Sequence, residues 1–146
     1  MKKNNKEIIV YTAGTWDLFH IGHLNIIRSS KELGGRLIVG VSTDELVASY
    51  KKYTPIVPYE DRAEIIKGCR YVDEVVKQEK LLDIQQIKDL QADILTIADS
   101  WKNEYLEGLE WAKKNIRVVF LPYTSKVSST YLKHKIKREW PPETKK

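Results

Sequence analysis

Apolar residues come in blocks along this chain, and the spacing within each block decides which element it predicts. Ile8-Ile9-Val10-Tyr11 is β-branched and aromatic, the composition of a buried strand. Ile26, Ile27 and Leu33 then recur at about helical spacing, predicting a helix that starts near His20 or Ile21 and ends at Gly34-Gly35. Arg36-Leu37-Ile38-Val39-Gly40-Val41 reads as a second strand, followed by a short helix capped from Ser42, Thr43 or Asp44. From Tyr50 to Tyr59 the pattern breaks, because Lys51, Lys52, Pro55 and Pro58 interrupt any regular element and leave one long internal loop. Residues 59–69 read as a helix, residues 71–76 as a third strand, and residues 81–91 as a helix with Leu82, Ile84, Ile87 and Leu90 near its apolar face. A fourth strand over residues 93–98, a helix over 104–114 and a fifth strand over 117–121 follow. The last helix opens at Ser128-Ser129-Thr130 and runs to about Lys137.

Five strands alternating with helices imply an α/β fold, a Rossmann-like five-stranded parallel sheet with helices on both faces. The 146 residues make a single domain, ordered over about residues 7–140, with the ends 1–6 and 141–146 frayed. Cys69 is the one cysteine; it excludes an internal disulfide, reads as a packing residue, and fits a reducing, cytoplasmic setting. The basic start is followed by only a short apolar run, so neither a secretory signal nor a membrane span is expected. A net charge of +5 points to anionic partners, nucleotides or nucleic acid. The basic residues are scattered with no aromatic stacking platform among them, so nucleic acid is not expected.

The chemistry concentrates in Gly14-Thr15-Trp16-Asp17-Leu18-Phe19-His20-Ile21-Gly22-His23. A strand, a turn supplied by Gly14 and a helix make a phosphate-binding layout, with His20 and His23 three apart on one face of a positive helix N-terminus. Gly22 between them leaves the backbone amides open to a bulky anion. Two imidazoles and a row of amides can stabilise charge on phosphoryl oxygens while pyrophosphate leaves. An attacking phosphate monoester is already ionised at neutral pH and needs no general base. Near the end of the chain, Ser128, Ser129 and Thr130 form a second such corner, where N-capping is the plain alternative.

The ten-residue stretch resembles the His-x-Gly-His signature of the nucleotidyltransferase superfamily, and its wording is most similar to the cytidylyltransferase branch. The resemblance covers roughly residues 8–136 and includes Ser42-Thr43-Asp44-Glu45, Glu60-Asp61-Arg62 and Arg70-Tyr71-Val72-Asp73-Glu74-Val75-Val76. It implies that His20 and His23 contact the nucleotide phosphates and stabilise the transition state. It also implies a basic residue on the loop, Lys51 or Lys52, against the phosphates. Arg62 is implied to face the site and hold a phosphate of nucleotide or acceptor, with a salt bridge as the plain alternative; a cation in a first helical turn opposes the dipole, so local stability does not explain it. Asp17 is implied to face the acceptor, while Asp44 either contacts substrate or caps its helix. Nucleotide contacts are expected from Gly14, Thr15, Trp16 and Gly22, from Asp99 and Trp101 after the fourth strand, and from Thr124, Lys126, Ser128, Ser129 and Thr130. Trp101 either stacks on a base or packs beneath the site.

The last motif departs from the branch: Tyr123 stands where an arginine is expected and Lys126 where a glycine is expected. Val127-Ser128-Ser129-Thr130-Tyr131-Leu132-Lys133 is also similar to the closing motif of adenylyltransferases. The basic face of that helix, Lys133, Lys135, Lys137 and Arg138, reads most simply as solvated. The leading expectation is transfer of CMP from CTP to a small phosphate ester, glycerol 3-phosphate first. The alternatives are an adenylyltransferase using ATP on a phosphorylated cofactor precursor, and a non-catalytic nucleotide binder. Mg²⁺ would arrive with the nucleotide and no dedicated metal ligands are expected; relatives of this kind imply a homodimer.

Overall fold

The computed structural model describes residues 6–140. The expected frayed ends lie outside the described residues except for Lys6, whose ammonium reaches Asp93 at 3.4 Å. Strands β1 (Ile9–Gly14), β2 (Arg36–Ser42), β3 (Glu74–Gln78), β4 (Ile94–Ala98) and β5 (Arg117–Leu121) alternate with helices. The helices are α1 (Ile21–Glu32), α2 (Asp44–Lys51), α3 (Tyr59–Lys67), α4 (Ile84–Asp89), α5 (Leu109–Asn115) and α6 (Ser129–Glu139). The strands form one parallel sheet in the order β3-β2-β1-β4-β5.

Alternation along each strand builds two cores. Val10, Leu37, Val39 and Val41 face Ile27 of α1 and Ile66 of α3. Tyr11, Ile38, Leu95 and Ile97 face Ile87 of α4 and Ala112 of α5. Helices therefore cover both faces, as the apolar runs imply, and Cys69 packs at the edge of the first core.

Strand order reverses at β1, the position where open α/β sheets bind ligands. β1 stays paired with β2 as far as Gly14 opposite Val41, but pairs with β4 only as far as Thr12 opposite Thr96. The carboxyl ends of β1 and β4 thus splay and open a crevice. No helix among the described residues is long and apolar enough to cross a membrane.

Boundaries differ from the sequence reading where side chains intervene. Helix α2 runs through Lys51 and stops at Lys52 in the left-handed conformation (φ 61°), so the expected long loop shrinks to residues 53–58. Strand β3 begins at Glu74, because the Asp73 carboxylate accepts from the Leu37 amide at 2.7 Å and from Lys31 at 2.6 Å. Asp83 caps α4 by accepting from the Gln86 amide, which shortens the helix expected over 81–91. The helix expected over 104–114 begins only at Leu109, after Gly108 at φ 89°.

Candidate active site

The left-handed positions of the turn from β1 into α1 do not fall on Gly14, the residue expected to supply it. Gly14 ends the strand, and the left-handed positions are Trp16 (φ 58°) and Leu18 (φ 48°). Gly14 is required for room instead, since a Cβ there would lie 3.1 Å from the Trp16 ring. Trp16 is buried, donates from Nε1 to the Gly40 carbonyl at 2.9 Å, and meets His23 edge-on at 5.5 Å between centroids. It supports His23 from below.

His20 caps α1 with its own ring: Nδ1 accepts from the Gly22 amide at 3.0 Å. His23 Nδ1 accepts from the His20 amide at 3.3 Å, closing a reciprocal capping box. These bonds assign the proton of each neutral ring to Nε2. The rings stack with centroids 3.8 Å apart, and His20 Nε2 is buried with no partner. Burial lowers the pKa of His20. Burial, followed by His20 and Lys51, lowers that of His23 to about 3 against the pull of Asp17. Both rings are therefore neutral hydrogen-bond donors at pH 7. Gly22 has to lack a side chain, because a Cβ would sit 2.9 Å from His20 Cε1.

Asp17 lines the cleft, as expected of an acceptor-facing group, and is also the hub of the loop. Only 3% exposed, its carboxylate accepts from the Ile56 and Val57 amides at 2.9 Å each and pairs with Lys133 at 3.0 Å. Burial raises its pKa, but the two amides and the ammonium outweigh burial and hold it below the usual carboxylate range. Its carbonyl accepts from Ser129 Oγ at 2.5 Å, so one residue ties the signature loop to both the α2–α3 loop and α6.

Of the adjacent lysines, Lys51 lines the cleft and Lys52 does not. Lys133, expected to be solvated, turns inward instead: its side chain is 25% exposed and its ammonium lies 4.9 Å from the Tyr53 ring centroid. The signal that finds it is its spacing, four residues after Ser129 on one helical face. Burial and the neighbouring Lys133 lower the pKa of Lys51, and Asp17 opposes this.

Ser128 caps α6 by accepting from the Tyr131 amide at 2.9 Å, while Ser129 and Thr130 face the cleft. Thr124 accepts from Asn25 Nδ2 at 2.7 Å, and Tyr123, in the cleft wall, donates to Ser100 at 2.8 Å. Thr15 and Trp101 also line the cleft, which holds about 280 Å³.

Four expected contacts change position. Arg62 is 1% exposed and its guanidinium is spent on the carbonyls of Val57, Thr15 and Ser42 and on Asp44 at 2.5 Å. This pairing accounts for a cation in the first turn of α3. Asp44 accordingly joins α2 to α3; Thr43 is the cap, accepting from the Leu46 amide at 3.0 Å. Asp99 is exposed in a 3₁₀ turn, Asp99–Trp101, outside the cleft wall. Lys126 is exposed at φ 64°, the conformation that makes glycine the usual residue there, and also lies outside the wall.

Neutral imidazoles, helix amides and two lysines converging on the crevice at the switch point define a nucleotidyltransferase. Over residues 11–135 the chain matches a family model described as cytidylyltransferase-like, and it belongs to that family. The FAD synthase of Thermococcus kodakarensis is 36% identical over 130 residues, covering 86% of this chain and 87% of that protein. The glycerol-3-phosphate cytidylyltransferase of Bacillus subtilis is 35% identical over 132 residues, covering 90% and 97%. The crystal structure of the lipopolysaccharide core biosynthesis protein from Thermoplasma volcanium GSS1 shares the fold, with a TM-score of 0.66 and 24% identity over 82% of this chain and 98% of that one.

Proposed function

We propose that the enzyme transfers CMP from CTP to a small phosphate monoester, glycerol 3-phosphate first, with release of pyrophosphate. The observation that carries this reading is the unpartnered, buried Nε2–H of His20 beside His23. A neutral ring whose only free polar atom is a donor fits a phosphoryl oxygen and cannot serve as a base through that atom. The α-phosphate binds over the amino end of α1, where the two Nε2–H groups meet the charge that builds on its oxygens. Lys51 and Lys133 hold the outer phosphates and stabilise the departing pyrophosphate. The acceptor phosphate attacks in line, its oxygen already ionised.

Mg²⁺ belongs to the reading as a companion of the triphosphate, whose charge it neutralises. Among the described residues no group of three or more His, Cys, Asp or Glu side chains could hold a metal ion, and the Asp17 oxygens are already engaged, so phosphate oxygens would supply its ligands. The homodimer implied by the resemblance belongs to the same proposal; sedimentation velocity checks it.

CTP is supported by the likeness to the Bacillus subtilis cytidylyltransferase and by the Asp44-Glu45 and Tyr71-Val72-Asp73-Glu74 segments. A second reading, adenylyl transfer from ATP to a phosphorylated cofactor precursor, is favoured by Lys133 turning inward from the Ser129-Thr130 end of α6 and by the FAD synthase likeness. Thermal stabilisation by CTP, ATP, GTP and UTP, each with Mg²⁺, separates them. A nucleotide at a hundred times its Kd adds about 2.7 kcal/mol. His20→Ala and His23→Ala should each lower kcat by roughly 100-fold or more with the fold intact. Wild-type turnover in either variant refutes the role of that ring.

A further inference from the structure

We infer that Asn25 of α1 is a positioning residue, which turns the hydroxyl proton of Thr124 into the cleft to meet a phosphate oxygen of the bound nucleotide. Thr124 lines the cleft and Asn25 does not, so Asn25 acts through its neighbour. Its role rests on the proposed nucleotide transfer and extends the site to a residue outside the cleft wall.

Nothing local calls for an asparagine at this position. It falls inside α1, five residues after the capping His20, where asparagine is a poor helix former because its amide competes for backbone hydrogen bonds. Leu24, Ile26 and Ile27 around it are apolar. A partner from elsewhere in the chain accounts for it: Asn25 Nδ2 donates to Thr124 Oγ1 at 2.7 Å, across 99 residues of sequence.

The same face of α1 carries the loop between β5 and α6. Gly22 stands one turn before Asn25, and a Cβ on it would lie 3.3 Å from Val127 Cγ1. The loop therefore runs back along the helix, with Val127 over Gly22 and Thr124 over Asn25. None of residues 122–127 is buried, so apolar packing does not fix the loop. Tyr123 ties it to Ser100 at 2.8 Å, and Ser128 caps α6 at 2.9 Å. Those bonds hold the loop on either side of Thr124 and leave its hydroxyl free to rotate.

A threonine hydroxyl has one proton and two lone pairs. Asn25 fills one lone pair and, as a donor, cannot take the proton through Nδ2. The proton is left for the cleft, where phosphate oxygens only accept. The nucleotide thereby gains a neutral donor in addition to those of His20 and His23, and its direction is set before the ligand arrives.

The test is titration calorimetry of CTP and of ATP, each with Mg²⁺ and no acceptor, on the wild type and on a double-mutant cycle. For the nucleotide that binds, Asn25→Leu and Thr124→Val should each raise Kd by roughly tenfold, and the double variant by no more than about twofold beyond either. Thr124→Ser keeps the hydroxyl and should stay within about threefold of wild type. Wild-type Kd in Asn25→Leu, or losses that multiply in the double variant, overturns the inference. Asn25→Asp separates aiming from tethering. Its carboxylate can hold Thr124 only by accepting the proton, so the tie survives and the donor is turned away. Kd should rise by roughly tenfold or more, and by several-fold less when the same change is made on Thr124→Val, where only repulsion between carboxylate and phosphates is left. An equal rise in both backgrounds, or none, assigns Asn25 to tethering alone and overturns the aiming role. Circular dichroism checks that each variant is folded. If CTP or ATP binds but no phosphate monoester draws pyrophosphate from it, the transfer reading fails while the Kd cycle still decides the role of Asn25. Binding of neither nucleotide to the wild type overturns both.

Discussion

Replacing Arg62 with Met tests whether this arginine holds phosphate or holds the protein together. Met keeps an unbranched apolar stem and removes every donor. The guanidinium reaches the carbonyls of Thr15 at 2.7 Å, Ser42 at 2.8 Å and Val57 at 2.8 Å, and pairs with Asp44. Losing one partner of a buried ion pair costs roughly 3–5 kcal/mol. The Asp44 side chain is 34% exposed, so water recovers part of its loss and the lower half of that range applies. For a chain of this size Tm should fall by roughly 6–15 °C, read by calorimetry or circular dichroism. Arg62→Met combined with Asp44→Leu should recover part of the loss, because no carboxylate is then left unpaired. A Tm within about 2 °C of wild type together with lost turnover would refute the structural assignment and return Arg62 to the phosphates.

Three further outcomes are expected. Gly40→Ala would drive a Cβ into the Tyr11 hydroxyl and to 3.1 Å from Ala13 Cβ, costing roughly 1–3 kcal/mol, and no change in Tm would contradict the packing. In the free enzyme the His23 ring should show no NMR titration between pH 6 and 8, since its pKa lies near 3 against 6.5 unfolded. The unfolded chain then binds the extra proton, so His23 makes stability fall on acidification from about pH 6.5 toward 3, by up to about 1.4 kcal/mol per pH unit. His23→Gln should flatten that slope. Asp17, with its lowered pKa, stabilises above the ordinary carboxylate range and loses this as pH falls through its folded value. Lys133→Met should raise KM for the nucleotide and weaken the Asp17 tether; unchanged KM would place Lys133 outside the phosphate path.

The continuous apolar runs of β1, β2, β4 and β5 were legible because strands buried on both faces of a parallel sheet carry no polar alternation to obscure them. The His20–His23 pair was legible for a similar reason: its geometry is local, one turn of one helix with a glycine between. Lys51 against Lys52 was not, because that choice depends on where α2 stops and which way its last turn faces. Ends set by side-chain bonds were equally hidden, since the Asp73 bond to the Leu37 amide joins residues 36 apart in the chain.

Arg62 and Lys133 mark the same division. Sequence alone singles out Arg62 as a cation that its own helix does not favour, and leaves Lys133 among four basic neighbours. Which of the two faces the crevice depends on partners brought from elsewhere in the fold: Thr15, Ser42 and Asp44 enclose the first, and Asp17 draws in the second. Local periodicity determines the strands, the helices and the signature. Charges at long range in the chain find their partners only once the sheet has placed the loops, so tertiary structure alone decided which of them face the crevice.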